Sequence, residues 1–293
     1  MFPLAAAAYS TNSGACLHTV DKNSEIHRQI SYKCDALDDT CAGYTAVLHT
    51  EQMIVISFRG TNSKEQLVPE AWDYDDFQPF LGGKVALYFY RGFYDIWING
   101  TMKDSVNTLK NKYPKYDIYV LGHSLGGAMA ALAAVTIVTT NIKPLENVHV
   151  YTFGQPRTGN EDFANAFNNL GIETYRIVHD RDPVPHAPPL DTFLNKYGDY
   201  YHHGAEVWYN NDMATDSYIQ CEQFNGESDD CSDSDFYYDL TLSDHLHYFG
   251  QDVSEFGIAG CLSAFKKFLK AKKNVATLKH KPYTAKISQN KKL

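Results

Sequence analysis

The chain has 293 residues, of which 44% are hydrophobic and 21% are charged, as is ordinary for a folded globular protein. It has no run of 18 apolar residues, so the sequence predicts no transmembrane segment. A chain of this length holds either one large α/β domain or two small ones. We expect a monomer without a cofactor or a nucleic-acid partner.

The cysteines and one glycosylation sequon indicate the cellular compartment in which the protein folds. The six cysteines are Cys16, Cys34, Cys41, Cys221, Cys231 and Cys261. They include no C-x-x-C pair, so the spacing of a metal site is absent, and disulfides in an oxidising compartment are favoured over free thiols in the cytosol. Asn99-Gly100-Thr101 is an N-glycosylation sequon, which agrees with secretion. Residues 1–9 lack a basic start and make a poor signal peptide, so we expect a signal to precede them.

The first third of the chain predicts a hairpin and two helices. Residues 1–10 are small and apolar and predict a short helix, whereas residues 11–33 are polar and predict irregular structure. Residues 43–50 and 53–58 predict two hairpin strands. The long polar connection 62–82 is typical of a functional segment such as a lid. Residues 93–113 predict one helix, which Gly100 weakens.

A strand, a tight turn and a helix follow between residues 116 and 138. Residues 116–121 are mostly aliphatic or aromatic and predict a buried strand, and the Ala-rich run from residue 128 predicts a buried helix. Between them, residues 122–126 (G-H-S-L-G) match G-x-S-x-G, the turn that projects a nucleophilic serine above a sheet. A side chain at Gly122 or Gly126 would collide with the neighbouring strand or helix.

The remaining elements alternate. Residues 148–154, 173–178 and 203–209 predict strands, and residues 160–170 predict a helix that ends at Gly171. Strands that alternate with helices predict an α/β fold with a mainly parallel central sheet.

Two charged segments follow the last predicted strand. Residues 222–239 are acidic and bracketed by cysteines, and we favour a solvated loop there over a calcium site. Residues 266–293 contain ten Lys and no acidic residue, whereas residues 1–265 carry 16 Lys and Arg against 35 acidic residues. We therefore expect a single domain over 1–265 and a basic, flexible tail over 266–293. Contact of the tail with an anionic lipid surface, a solubilising role and folding onto the acidic loop all remain open.

Chemistry at Ser124 needs a base that accepts its proton and an acid that orients the base. In hydrolases with this turn, the acid and then the histidine follow the serine along the chain. Asp180 and Asp182 both follow the strand 173–178 and are candidate acids. The candidate bases are His179, His186, His202, His203, His245 and His247. The residues alone do not choose among them.

Five segments, in this order, resemble the fungal-type class 3 lipase family of α/β-hydrolases, with the greatest similarity to secreted nematode members. They are F-R-G-T at 58–61, G-H-S-L-G-G at 122–127, T-F-G-Q-P-R-T-G-N at 152–160, D-P-V-P at 182–185 and H-L-H-Y-F-G at 245–250. The resemblance covers roughly residues 1–265 and implies an α/β-hydrolase fold with helices on both faces of the sheet.

The resemblance also implies site residues. The catalytic acid falls on Asp182 rather than Asp180, the base on His245, and the oxyanion hole on Thr61 and Leu125. It further implies the disulfides Cys16–Cys261 and Cys34–Cys41, which leaves Cys221–Cys231 as the third pair.

Together these features predict a secreted serine ester hydrolase that acts on glycerolipids. A phospholipase A1, a feruloyl or small-ester esterase, and a non-catalytic lipid-binding or host-binding protein on the same scaffold remain alternatives. The chain departs from the family at the lid, because residues 63–72 are polar and Pro69 interrupts them. The sequence therefore does not predict interfacial activation.

Overall fold

The structure is a computed structural model that describes residues 1–33, 40–61, 76–190, 200–214, 217–221, 226–234 and 240–262. The chain divides into two units, Met1–Ser263 and Ala264–Leu293. The basic tail, half of the acidic segment, Cys34 and residues 62–75 of the expected lid lie outside the described residues. The boundary at residue 265 therefore stays a prediction.

Strands in the described part of the chain form three sheets. The strands are β1 Ser24–Lys33, β2 Thr40–Leu48, β3 Met53–Phe58, β4 Phe77–Phe80, β5 Gly83–Ala86, β6 Asp117–His123, β7 Val148–Phe153, β8 Gly159–Asn160, β9 Glu173–His179, β10 Tyr200–Tyr201, β11 Glu206–Tyr209, β12 Ile219–Gln220, β13 His247–Tyr248 and β14 Gln251–Asp252. The central sheet has the order β1-β2-β3-β6-β7-β9-β11-β12. Its middle strands β3, β6, β7, β9 and β11 are parallel, and the strands at both edges are antiparallel.

Helices flank this sheet. They are α1 Phe2–Ala6, α2 Ser13–Val20, α3 Leu87–Tyr94, α4 Met102–Lys112, α5 Leu125–Thr139, α6 Glu161–Leu170, α7 Leu242–Leu246 and α8 Val253–Ile258. The predicted α/β fold with a mainly parallel central sheet is confirmed. Among the described helices, none is both long enough and apolar enough to cross a membrane.

The predicted ends of α6 are confirmed by its caps. The side chain of Asn160 accepts a hydrogen bond from the Phe163 amide at the start of the helix, and Gly171 ends it with a φ of 75°. Both devices satisfy or redirect backbone groups that the terminal turns of a helix leave without partners.

Two expectations about the first third of the chain, irregular structure over 11–33 and one helix over 93–113, are wrong. Residues 11–33 form helix α2 and the ten-residue strand β1, in which only Ser24 and Ile30 are buried. A solvated edge strand carries no hydrophobic alternation, so its polar sequence concealed it. Residues 93–113 do not form one helix, because Thr101, with a φ of 60°, separates a π-helical turn at Asp95–Asn99 from α4. Within the expected lid, residues 77–80 form β4, which pairs with β5.

The parallel strands bring the predicted site residues to one edge of the sheet. Strand β6 ends immediately before Ser124, β9 ends shortly before Asp182, and β3 ends shortly before Thr61. Since carboxyl ends of parallel strands lie at the same edge of a sheet, residues distant in sequence meet there.

Candidate active site

The turn between β6 and α5 holds Ser124 in a strained conformation. Ser124 has a φ of 58° and a ψ of −132°, in a region that L residues rarely adopt. A Cβ on Gly122 would lie 2.0 Å from the carbonyl oxygen of Gly126, and a Cβ on Gly126 would lie 2.2 Å from that of Phe58. Only glycine fits at either position, so the predicted steric reason for the two glycines is confirmed.

A continuous line of hydrogen bonds joins Ser124, His245 and Asp182. The Ser124 Oγ atom lies 2.9 Å from His245 Nε2. The His245 Nδ1 atom lies 2.9 Å and 3.0 Å from the two carboxylate oxygens of Asp182. All three side chains are buried, and those of His245 and Asp182 are completely inaccessible. Because carboxylate oxygens accept hydrogen bonds, this geometry puts the imidazole proton on Nδ1 and leaves Nε2 free to accept the serine proton.

The carboxylate of Asp182 has two further donors. The Tyr248 hydroxyl donates to Oδ2 at 2.7 Å, and the Val184 amide donates to Oδ1 at 2.9 Å. Burial alone would raise the pKa of Asp182, but the charge and hydrogen bond of His245 and these two donors lower the pKa below its ordinary value of 3.8. The carboxylate therefore stays ionised at neutral pH.

The two expected oxyanion-hole residues flank the serine. Leu125 is the first residue of α5, where backbone amides have no partner within the helix and the helix dipole is positive. Thr61 is buried and follows Gly60, where a Cβ would lie 2.9 Å from Ser124 Cβ. The segment after β3 and the start of α5 thus both lie next to Ser124.

The other candidate acid and bases lie elsewhere. Asp180 pairs with the exposed side chain of Arg181 at 3.6 Å. The remaining histidine nitrogens contact other groups: His179 Nδ1 contacts the Asp244 carbonyl, His186 Nδ1 the Asp233 carboxylate, His202 Nε2 the Pro185 carbonyl, His203 Nε2 the Gln155 amide, and His247 Nδ1 the Ser243 carbonyl. The geometry thus separates alternatives that the residues alone left open.

Three residues that contact this site were not predicted from the sequence. Tyr248 binds Asp182, His123 binds the backbone of His245, and Tyr9 binds His123. His123 lies inside the G-x-S-x-G turn and Tyr248 inside the H-L-H-Y-F-G segment, so the motifs marked both positions without indicating their roles.

The structure pairs Cys16 with Cys261 and Cys221 with Cys231. Cys41 is also in a disulfide, and its expected partner Cys34 lies outside the described residues. Glu206 approaches the sulfurs of Cys221 and Cys231. Because those sulfurs are joined in a disulfide, neither offers a thiolate to a metal.

The predicted glycosylation acceptor Asn99 is exposed, and its side-chain amide donates to Asp95 at 2.7 Å. Glycosylation at this position stays a prediction.

Comparison with known proteins identifies relatives of this chain. Residues 55–192 match the family "Lipase (class 3)". A lipase from Caenorhabditis elegans is 34% identical, over 89% of this chain and 80% of the relative. A secreted mono- and diacylglycerol lipase from Fusarium solani is 30% identical, over 56% of this chain and 46% of the relative. The chain spans about half the length of the fungal relatives it matches.

A solved structure extends the similarity to the fold. It is a triacylglycerol lipase whose catalytic centre is described as a serine protease triad. It superposes with a TM-score of 0.74 at 29% identity, over 86% of this chain and 93% of the other. With this fold and with the nematode lipase matched over most of its length, the chain belongs to the class 3 lipase family of α/β-hydrolases and is a serine ester hydrolase.

Proposed function

We propose that the protein is a secreted glycerolipid hydrolase that works through an acyl-enzyme on Ser124. The observation that carries this proposal is the unbroken line from Ser124 Oγ through His245 to Asp182, with 2.9 Å contacts on both sides of the imidazole. A nucleophile, a base and an orienting acid within hydrogen-bond reach are what acyl transfer by a serine requires.

In the first half of the reaction, Ser124 Oγ attacks the ester carbonyl carbon while its proton passes to His245 Nε2. The carbonyl oxygen becomes an oxyanion, which the backbone amide of Leu125 and the amide and hydroxyl of Thr61 stabilise. His245 then gives the proton to the leaving alkoxide. The alcohol departs, and the acyl group remains esterified to Ser124.

In the second half, water replaces the alcohol. His245 Nε2 takes a proton from the water as its oxygen attacks the acyl carbon, and returns it to Ser124 Oγ when the acyl bond breaks. The acid leaves and the enzyme is restored. Asp182 keeps the imidazole in the Nδ1–H tautomer and stabilises the imidazolium in both halves.

The names of the relatives support the substrate class. They include a triacylglycerol lipase and a mono- and diacylglycerol lipase, both acting on glycerol esters. The secreted Fusarium relative and the disulfides Cys16–Cys261 and Cys221–Cys231 support an extracellular location. Phospholipase A1 and feruloyl or small-ester esterase activities are the alternatives within this chemistry.

A substrate panel tests the proposal. Purified protein is assayed on triglyceride, phospholipid, a feruloyl ester and a short p-nitrophenyl ester, with Ser124→Ala as the control. We expect turnover of glycerides that Ser124→Ala abolishes. Preferential turnover of phospholipid or of the feruloyl ester would change the substrate class. Absence of Ser124-dependent turnover on all four would favour a non-catalytic binding protein on this scaffold.

A further inference from the structure

Three histidine side chains contact the backbone of α7, the short helix that carries His245. Helix α7 has five residues, and the last carbonyls of a helix receive no hydrogen bond from an N–H group within that helix. Three imidazole nitrogens lie against three consecutive carbonyls of this helix, those of residues 243 to 245: His247 Nδ1 on Ser243 O at 2.9 Å, His179 Nδ1 on Asp244 O at 3.0 Å and His123 Nε2 on His245 O at 2.9 Å. The third contact is on the catalytic base itself.

The hydrogen bonds of His123 define its tautomer. A carbonyl oxygen only accepts, so His123 Nε2 carries the proton that it donates to His245 O. The neutral ring then has an unprotonated Nδ1, which lies 2.7 Å from the hydroxyl of Tyr9. Tyr9 therefore donates to His123, and His123 donates to the backbone of His245. Both ends of the imidazole are satisfied in one orientation only.

His123 is also held neutral. Burial, followed by the nearby charge of His245, lowers the pKa of His123 to about 3. Its ring is stacked on that of His245, with the centroids 4.6 Å apart and the planes 26° apart. A neutral ring accommodates the imidazolium that forms on His245 during catalysis, whereas a second positive ring at this distance would repel it.

Two separate anchors consequently act on His245. Asp182 binds the ring at Nδ1 and sets its rotation, while His123 binds the main-chain carbonyl. His123 is the last residue of β6, directly before Ser124, so its hydrogen bond joins the backbone of the base to the strand that carries the nucleophile.

We propose that His123, oriented by Tyr9, is a positioning residue that holds the backbone of His245 so that Nε2 stays on Ser124 Oγ. The inference rests on the proposed function of Ser124 and His245. It predicts that the N–H donor at position 123, rather than the bulk of the ring, supports the rate of acyl transfer. Because His123 is buried and acts through His245, we expect its loss to lower kcat and to leave the Michaelis constant unchanged.

Two substitutions separate the effect of the Nε2–H donor of His123 from the effect of the size of its ring. His123→Phe keeps a stacking ring and removes the donor, whereas His123→Gln places an amide N–H near the position of Nε2. On a soluble p-nitrophenyl ester, we expect His123→Phe to lower kcat by about 10²-fold with KM unchanged, the order expected for a misplaced catalytic group. We expect His123→Gln to recover most of that loss.

His203 offers a matched control. It is buried, is stacked on Phe167 with ring centroids 3.9 Å apart, and accepts from Gln155 Nε2 at 2.9 Å. Burial lowers its pKa to about 3 as well, but it lies outside the proposed machinery. His203→Phe should lower thermal stability and leave kcat unchanged. A folded His123→Phe protein with wild-type kcat, or a His123→Gln protein as slow as His123→Phe, would overturn the inference.

A measurement on the unsubstituted protein keeps the test independent of folding. With ¹⁵N-labelled histidine, two-bond correlation spectra report the tautomer of each ring, and His123→Gln or Tyr9→Phe identifies the signals of residue 123. We expect His123 to be the Nε2–H tautomer and not to titrate between pH 5 and 8. An Nδ1–H tautomer, or titration in that range, would contradict the inference.

The result is separable from that of the proposed function. If Ser124→Ala retains turnover, the proposed function fails whatever His123 does. If Ser124→Ala is inactive and His123→Phe is fully active, only the role of His123 fails.

Discussion

Two buried polar clusters lie beside the same loop and differ in their charges and in how those charges are paired. The triad cluster consists of Ser124, His245, Asp182, His123 and Tyr248. The arginine cluster consists of Arg157, Glu227, Asp233 and His186. His186 lies four residues after Asp182, so one loop contributes to both clusters. The triad cluster contains one carboxylate and no permanent cation, whereas the arginine cluster gathers a guanidinium and two carboxylates.

In the arginine cluster, every N–H donor of Arg157 has an acceptor. The side chain of Arg157 is fully buried, and its nitrogens make five hydrogen bonds, which equals the number of N–H donors of a guanidinium. The acceptors are Glu227 Oε1 and Oε2, Asp233 Oδ1, and the carbonyls of His186 and Pro188. Such an arrangement fixes the segment 226–234 against the loop that follows Asp182 and occupies every donor of the guanidinium.

The triad cluster instead keeps one reactive contact. Asp182 binds His245 Nδ1, His123 binds the His245 carbonyl, and Tyr248 binds the Asp182 carboxylate. The reactive contact is the one between Ser124 Oγ and His245 Nε2. A fully paired buried cation thus marks a structural cluster, whereas a nucleophile hydrogen-bonded to a neutral base, on a strained backbone, marks a catalytic one.

The largest expected effect is on the acid of the triad. Asp182→Asn keeps the size of the side chain but removes the charge that selects the tautomer of His245. On the precedent of the serine protease triad, we expect kcat to fall about 10⁴-fold. Asp180→Asn, on the same loop and outside the triad, is the control and should keep wild-type kcat. Similar kcat values for the two variants on a soluble ester would exclude Asp182 as the acid.

The arginine cluster should respond in stability. Arg157→Met leaves the Glu227 and Asp233 carboxylates buried without their cation, and we expect the free energy of unfolding to fall by about 3–5 kcal/mol. Arg181→Met, which removes a half-exposed partner of Asp180, is the control and should cost less than about 1 kcal/mol. Urea unfolding measures both. Equal losses would show that the cluster does not support the fold.

The pKa values of two buried carboxyl groups, Glu227 in the arginine cluster and Asp182 in the triad cluster, shift in opposite directions. Burial raises the pKa of Glu227 from its ordinary value of 4.5 to about 7, although Arg157 opposes the rise. The folded state therefore binds this proton more tightly than the unfolded state, and the contribution to stability is lost as pH rises from about 4.5 through 7. Glu227→Gln should remove that slope from a plot of unfolding free energy against pH. An unchanged slope in this window would contradict the assignment.

At Asp182 the dependence of unfolding free energy on pH has the opposite sign, and the expected change is the smallest of these predictions. Because the pKa of Asp182 is lowered, its contribution to stability is present above the ordinary value of 3.8 and is lost as pH falls below it. Tyr248→Phe removes a donor that lowers this pKa, so acid unfolding should begin at higher pH. Tyr44→Phe removes a buried hydroxyl bound to the Leu4 carbonyl and should lower the free energy of unfolding by the same amount throughout this pH range. The same dependence of unfolding free energy on pH in the two variants would contradict this role of Tyr248.

The sequence predicted what is encoded locally. The strand, turn and helix around Ser124 follow from residues 116–138 because hydrophobic runs and two obligate glycines lie side by side. Strand β1 was missed because its stability comes from pairing with β2 rather than from its own solvated sequence. Thr101 interrupts the predicted helix 93–113 through a left-handed conformation that its residue type does not announce.

Contacts over long separations could not be derived from the residues. His245 lies 121 positions from Ser124, and several other histidines fit the required order equally well. The family resemblance supplied that choice. It did not supply the donor role of His123 or the partners of Arg157, because both depend on where distant backbone carbonyls lie.

The most direct test of the central claim is covalent labelling of the wild-type protein with a fluorophosphonate, followed by peptide mapping. We expect one adduct, on Ser124, and labelling that is strongly slowed in His245→Ala and in Asp182→Asn. Labelling at another residue, or labelling of Ser124 at the wild-type rate in His245→Ala, would contradict the proposed nucleophile and its base.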